Sequence, residues 1–115
     1  MIQEFEIKKL VNEKGLFCRI TYEVLLFNES KKTLECPIEE KWYSSIVFGV
    51  DYFFEKYSRN TNKGFKLIIH KIESQIVDTS ATVVLYLILS LLSKETSFSI
   101  NDFLLNEKGD LVLPK

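Results

Sequence analysis

The chain is poor in the residues that punctuate, cross-link or catalyse. Its 115 residues hold two prolines, four glycines, two cysteines and a single histidine. Four scattered glycines build no phosphate-cradling loop, which needs glycines clustered so that backbone N–H groups converge on an anion. The two cysteines, Cys18 and Cys36, are too few and too irregularly placed for a disulfide framework. They read as two buried or half-buried thiols in a reducing compartment, the alternative being one disulfide in a secreted protein. With His70 they lack both local ligand spacing and a fourth ligand, so no metal and no cofactor is expected. Charge of one sign is lacking too: 15 basic residues face 16 acidic ones, for a net charge of −1. Proteins that live on nucleic-acid phosphates carry a clear basic excess, so any such patch here must be local. The longest apolar run, Val83 to Leu89 with Leu91 and Leu92 beyond it, falls short of the ~20 residues that span a bilayer. The opening "MIQEFEIKKL" carries Glu4 and Glu6 where a signal peptide keeps an unbroken apolar core. A cytoplasmic chain with no membrane contact is the expectation.

What is present is ordinary globular material: 46% apolar residues, with nine Phe and five Tyr. That suits one domain over residues 1–115, with a single core. The tetrapeptide "NEKG" occurs at 12–15 and again at 106–109. In each copy Asn opens a turn and Gly takes the left-handed position at its end, as in a bulged hairpin loop. The flanks, "EFEIKKLV" with "LFCRITYEVLLF" and "DFLL" with "DLVL", are rich in strand-forming residues, so a hairpin is predicted at each end. Nothing beyond the turn is shared, which argues against an internal repeat.

Between the hairpins the period changes. Pro37 suits a first helical turn, and Glu39 and Glu40 complement the positive end of a helix dipole. Apolar residues then fall at 43, 46, 47, 50, 53, 54 and 57, one face of a helix. Gly49 inside it costs about 1 kcal/mol, which a close backbone approach to a sheet would explain. "SRNTNKG" ends the helix with Gly64 as the break, and "FKLIIHKIE" reads as a central strand. Asp78 is an expected N-cap whose carboxylate accepts backbone N–H groups of the next turn. The run from Ser80 to Ser93 is strand-like in propensity, but its length favours a helix. Val84, Leu87, Ile88 and Leu91 line one face of it, and Leu85, Leu89 and Leu92 a second. The element order is β-β-(β)-α-β-α-β-β, an α+β two-layer sandwich.

With the elements in this order, the chain resembles domain IV of the translational GTPase elongation factor G. The hairpin "NEKGLFCRITYEVLLF", the Pro-led "CPIEEKWYSSIVFGV", the strand "KGFKLIIHKI" and the helix "QIVDTSATVVLYLILSLL" carry the likeness, over roughly residues 12–93. Pro37, Gly49, Gly64, Val77, Asp78 and Ser80 fall in register with the family pattern. The resemblance implies a mixed sheet with two helices on one face and a left-handed β-α-β crossover, an exception to the usual hand. It also implies contact with the ribosome through the domain's tip, here Asn12, Lys14, Gly15 and Gln75. The departures sit at that tip: "NEKG" has one glycine, Gln75 stands where the family has His, and no GTPase domain precedes. Fold alone does not fix function.

Asp78-Thr79-Ser80 has the composition of an acid and a nucleophile. A hydroxyl nucleophile needs a base in reach, however, and the one imidazole lies eight residues away in a strand, so helix capping is the expectation. The cations Lys56, Arg59, Lys63, Lys66 and Lys71 run without an acidic residue between 56 and 71. With Tyr57 and Phe65 they are the candidate nucleic-acid site. The alternative is that they offset a helix dipole and solvate a loop. The face of Leu85, Leu89 and Leu92 either packs under the C-terminal hairpin or forms a seam for a partner or a second copy. Glu39 and Glu40 point to different sides of a helix, so no convergent carboxylate pair is found. The functional expectation is a non-enzymatic binding module for the ribosome or structured RNA. Its alternative is a protein-interaction or self-associating module without a role in translation. An enzymatic reading requires a cleft gathering His70, Cys18 or Cys36 with an acid.

Overall fold

Alternating apolar and polar residues in the first 27 positions make two long strands, and the helical period after them makes the layer that covers one side. A computed structural model describes residues 2–11, 14–36, 42–73, 81–98, 104–105 and 111–112. Its elements are β1 (Gln3–Val11), β2 (Lys14–Phe27), β3 (Lys32–Glu35), α1 (Tyr43–Thr61), β4 (Gly64–Glu73), α2 (Ala81–Thr96), β5 (Leu104–Leu105) and β6 (Leu111–Val112). This is the predicted order. The first four strands form a mixed sheet in the order β1-β2-β4-β3, with β3 and β4 parallel and the other neighbours antiparallel. The strand read as central, β4, is an inner strand. β5 and β6 pair only with each other, as a separate two-stranded sheet.

One face of the sheet carries Phe5, Ile7, Cys18, Ile20, Tyr22, Leu34, Phe65, Leu67 and Ile69, all in the core or packed against it. Both helices cover that face. α1 buries Ile46, Gly49, Val50, Phe53 and Tyr57, the stripe its period demands. α2 buries Val83, Val84, Leu87, Ile88, Leu89, Leu91 and Leu92, which leaves little of its circumference wet. An aromatic cluster closes one end of the core: Phe53 meets Phe65 edge-on at 5.9 Å and Phe98 at 6.0 Å between centroids. Among the described residues no helix is long and apolar enough to cross a membrane.

Several local readings change. Gly64 does not end α1: Asn62 does, at φ 56°, its N–H donating to the Ser58 carbonyl at 2.8 Å. Asparagine tolerates the left-handed region because its short polar side chain can bond locally. Gly64 instead lies so close to the chain before β3 that a Cβ would meet the Lys31 carbonyl oxygen at 1.8 Å. Gly15, read as a turn residue, sits within the ladder opposite Leu10, and Lys14 pairs with Val11. The β2–β4 register also slips: Thr21 faces Lys71 and Tyr22 faces Ile69, leaving His70 as the extra residue of a bulge. The slip reverses the alternation, so that Ile72, three residues after Ile69, also packs on the core. Pro37, Glu39, Glu40 and Asp78 lie outside the described residues, and α1 is described from Tyr43 on.

Candidate interaction surfaces

The basic run is dispersed by the fold. Lys56 and Arg59 project from α1, in the helical layer. Lys66 alternates with buried Leu67 and so stands on the opposite, outer face of the sheet. Most of these charges are also engaged. Arg59 pairs with Glu55 at 2.7 Å, Lys66 with Glu35 at 2.9 Å and, more loosely, Lys71 with Glu73 at 3.9 Å. The Lys56 ammonium lies 5.7 Å from the centre of the Tyr52 ring. Lys63 makes no ion pair among the described residues. The two aromatics expected to stack on bases are in the core: Phe65 is 0% and Tyr57 3% exposed. The run was legible as composition, but alternation along β4 and the register with β3 decide where each cation points. Of the expected tip positions, Lys14 and Gly15 lie in β2, whereas Asn12 and Gln75 fall outside the described residues.

Of the two readings of the second face of α2, the structure takes burial over the seam. Leu89 and Leu92 are fully buried and cannot serve as a seam; only Leu85 keeps some exposure. The reason is the company α2 keeps: it packs against α1, β1, β2 and β6 at once. Apolar exposure shifts instead to the start of the two helices, which run in the same direction side by side. Ser44, Ser45 and Phe48 of α1 face Ala81, Thr82 and Leu85 of α2 across an open groove of about 330 Å³. Phe48 is 51% exposed, and Tyr43, which does not line the groove, is 48% exposed. Phe48 stacks on Tyr52 at 6.2 Å, and burial first, then the Glu55 charge, raises the Tyr52 hydroxyl above its ordinary pKa. Sequence periodicity assigned Tyr43 to the core face and passed over Phe48.

Of the thiols and the imidazole, Cys36 and His70 share a cleft with the acid Glu35, the gathering that an enzymatic reading requires, whereas Cys18 stays apart from them. Cys18 is fully buried in the core. The shallow cleft is lined by Glu35, Cys36, Ile68 and His70. Cys36 follows Leu34 by two residues and packs, like it, toward the core. His70 is exposed on the other face, with Nε2 3.5 Å from Glu23 Oε1. Expected to be half-buried, His70 is exposed, on the opposite face from its buried neighbour Ile69. Among the described residues no three His, Cys, Asp or Glu side chains are grouped to hold a metal ion.

Two polar networks were not foreseen. On the outer face Arg19 bridges three strands, with Nη2 2.6 Å from Glu6 Oε1 and Nη1 3.3 Å from Glu73 Oε2. The hydrogen bond to Glu6, then the charges of Glu6 and Glu73, raise the guanidinium above its ordinary pKa. On the inner face the Tyr22 hydroxyl donates to Glu95 Oε2 at 3.3 Å and the Gln3 amide donates to Glu95 Oε1 at 2.9 Å. Cross-strand register was the missing signal for the first, and the docking of α2 on the sheet for the second.

No family model matches the chain, and no curated protein is significantly similar to it.

Proposed function

We propose that this chain is a non-enzymatic, cytoplasmic protein-interaction module without a role in translation, on a scaffold resembling domain IV of elongation factor G. One observation carries this preference over RNA binding: the cations of the basic run are split between two layers and mostly engaged by carboxylates, while their aromatic companions are buried. Phosphate binding depends on cations gathered on one surface. By contrast, Phe48 is a large apolar side chain left about half-exposed in the lining of a groove. Aromatic groups in such a place gain most by being covered by another protein.

The test is affinity capture of the tagged chain from native lysate, with protein and RNA quantified in the same eluate. A captured protein that is lost on Phe48→Asp, with no enrichment of ribosomal RNA, is the expected result. Capture of ribosomal RNA that falls steeply with salt, and falls further on Lys56→Glu with Lys63→Glu, would reverse the choice in favour of RNA.

A further inference from the structure

The sheet has two edges, and they differ in kind. β3 is four residues long, and its Lys32 is tied to Asp51 of α1 at 2.5 Å. β1 runs for nine residues, paired with β2 at every position without a bulge and without a proline. Among the described residues no strand pairs with its other side. Strands of globular proteins are commonly about five to six residues long, and natural edges are usually shortened, bulged or broken by proline. A long regular edge turns a row of N–H and C=O groups outward, ready to pair with another strand.

The side chains of β1 state which strand. Phe5 and Ile7 face the helices, while Glu4, Glu6 and Lys8 are exposed on the outer face. The acids precede the base along the strand. A parallel copy would therefore set like charge beside like charge, but an antiparallel copy reverses the order and matches them. Partners directly opposite in an antiparallel ladder share a face, so the apolar side stays continuous only when even positions meet even and odd meet odd. The register centred on Glu6 satisfies this. It sets Glu4 opposite the second copy's Lys8, and Lys8 opposite the second copy's Glu4. It also sets Phe5 opposite Ile7, twice, extending the core layer across the two-fold axis. Glu6 meets its own copy at that axis, where Arg19 already holds each carboxylate at 2.6 Å. Glu4 and Lys8 form no ion pair among the described residues, which leaves both charges available. The net charge of −1 sets little repulsion against association.

We propose that β1 pairs antiparallel with β1 of a second copy, centred on Glu6, joining two four-stranded sheets into one of eight. Main-chain hydrogen bonds supply the affinity, and the Glu4–Lys8 pairs fix direction and register. The interface is isologous and closes on itself, so association stops at the dimer. This rests on the reading of the chain as a protein-binding module, and it specifies one partner.

Sedimentation equilibrium of the full chain tests it by charge exchange. Wild type is expected to be dimeric. Glu4→Lys alone and Lys8→Glu alone each turn two attractive pairs into repulsive ones and are expected to weaken the dimer about tenfold or more. Mixed in equal amounts, the two variants recover matched pairs at both sites, and a heterodimer of wild-type strength is expected. Both positions are exposed, so circular dichroism is expected to show each variant folded. A wild-type chain that stays monomeric on the order of 100 μM, above the micromolar range of weak specific interfaces, overturns the proposal. So does a dimer indifferent to both substitutions, or a mixture no stronger than its parts. A monomer that still captures a protein through Phe48 would refute the self-pairing while leaving the proposed function intact.

Discussion

Gly49 and Gly64 both exist to let something come close, but what comes close differs. A Cβ on Gly49 would stand 2.9 Å from Ile88 Cγ2 and 3.0 Å from Leu85 Cδ1, at the crossing of α1 and α2. Alanine there gains about 1 kcal/mol of helix propensity, and the overpacking it causes costs about 1–3 kcal/mol. Gly49→Ala is therefore expected to be destabilising by about 1 kcal/mol in urea unfolding, since a branched carbon of Ile88 cannot swing aside as the tip of Leu85 can. At Gly64 the obstacle is backbone, and Gly64→Ala is expected to cost about 3 kcal/mol or more. That Gly49 has a packing reason was legible, because glycine in the middle of an apolar helical stripe needs one, but the neighbour it admits is the helix α2 and not the sheet that was expected. The purpose of Gly64 was not legible: its constraint is the carbonyl of Lys31, 33 positions earlier in the chain, and local sequence offered the simpler reading of a helix stop.

Elements are joined here by a few polar ties as well as by the core. α2 is fastened to the sheet through Glu95, which accepts from Tyr22 and Gln3. Burial first, and then the Glu95 charge and hydrogen bond, push the Tyr22 hydroxyl well above its ordinary pKa. A folded-state pKa above the unfolded one contributes stability that is complete below the unfolded value, about 10 for tyrosine, and is lost as pH rises toward the folded value. The protein is thus expected to lose stability above about pH 10. Tyr22→Phe is expected to cost about 1 kcal/mol at neutral pH and to flatten that alkaline decline, as read by urea unfolding across pH. In β4 the bulge allows a further prediction. Removing His70 leaves Phe65, Leu67, Ile69 and Ile72 in unbroken alternation, so the deletion is expected to fold cooperatively. Removing Ile68 turns one part of the strand inside out relative to the other, and that chain is expected to lose its cooperative transition. The helices, the central strand and their order were legible because period 3.6 and period 2 are local properties of side-chain spacing. The bulge was not, since "IIHKI" reveals its extra residue only when laid against Thr21 and Tyr22 of the neighbouring strand.

For the molecule as a whole, the distribution of charge decides more than its sum. A net charge of −1 is compatible with a strong local patch, and the run from Lys56 to Lys71 is the one place where the sequence offers it. Folding places Lys66 against Glu35 on one side of the sheet and Arg59 against Glu55 on the other layer. The cations were thus legible and their separation was not, because separation depends on which strand lies beside which. The same holds for the proposed partner surface. The acid-then-base order of β1 is written in the sequence, and its availability follows only from β1 being an edge. Co-sedimentation of the purified chain with ribosomes and with structured RNA at low ionic strength is the most direct test of the central claim, that this is a protein-binding module. The chain is expected to remain in the supernatant with both. Pelleting with either, released progressively as salt rises in the manner of counterion-linked phosphate binding, would contradict it.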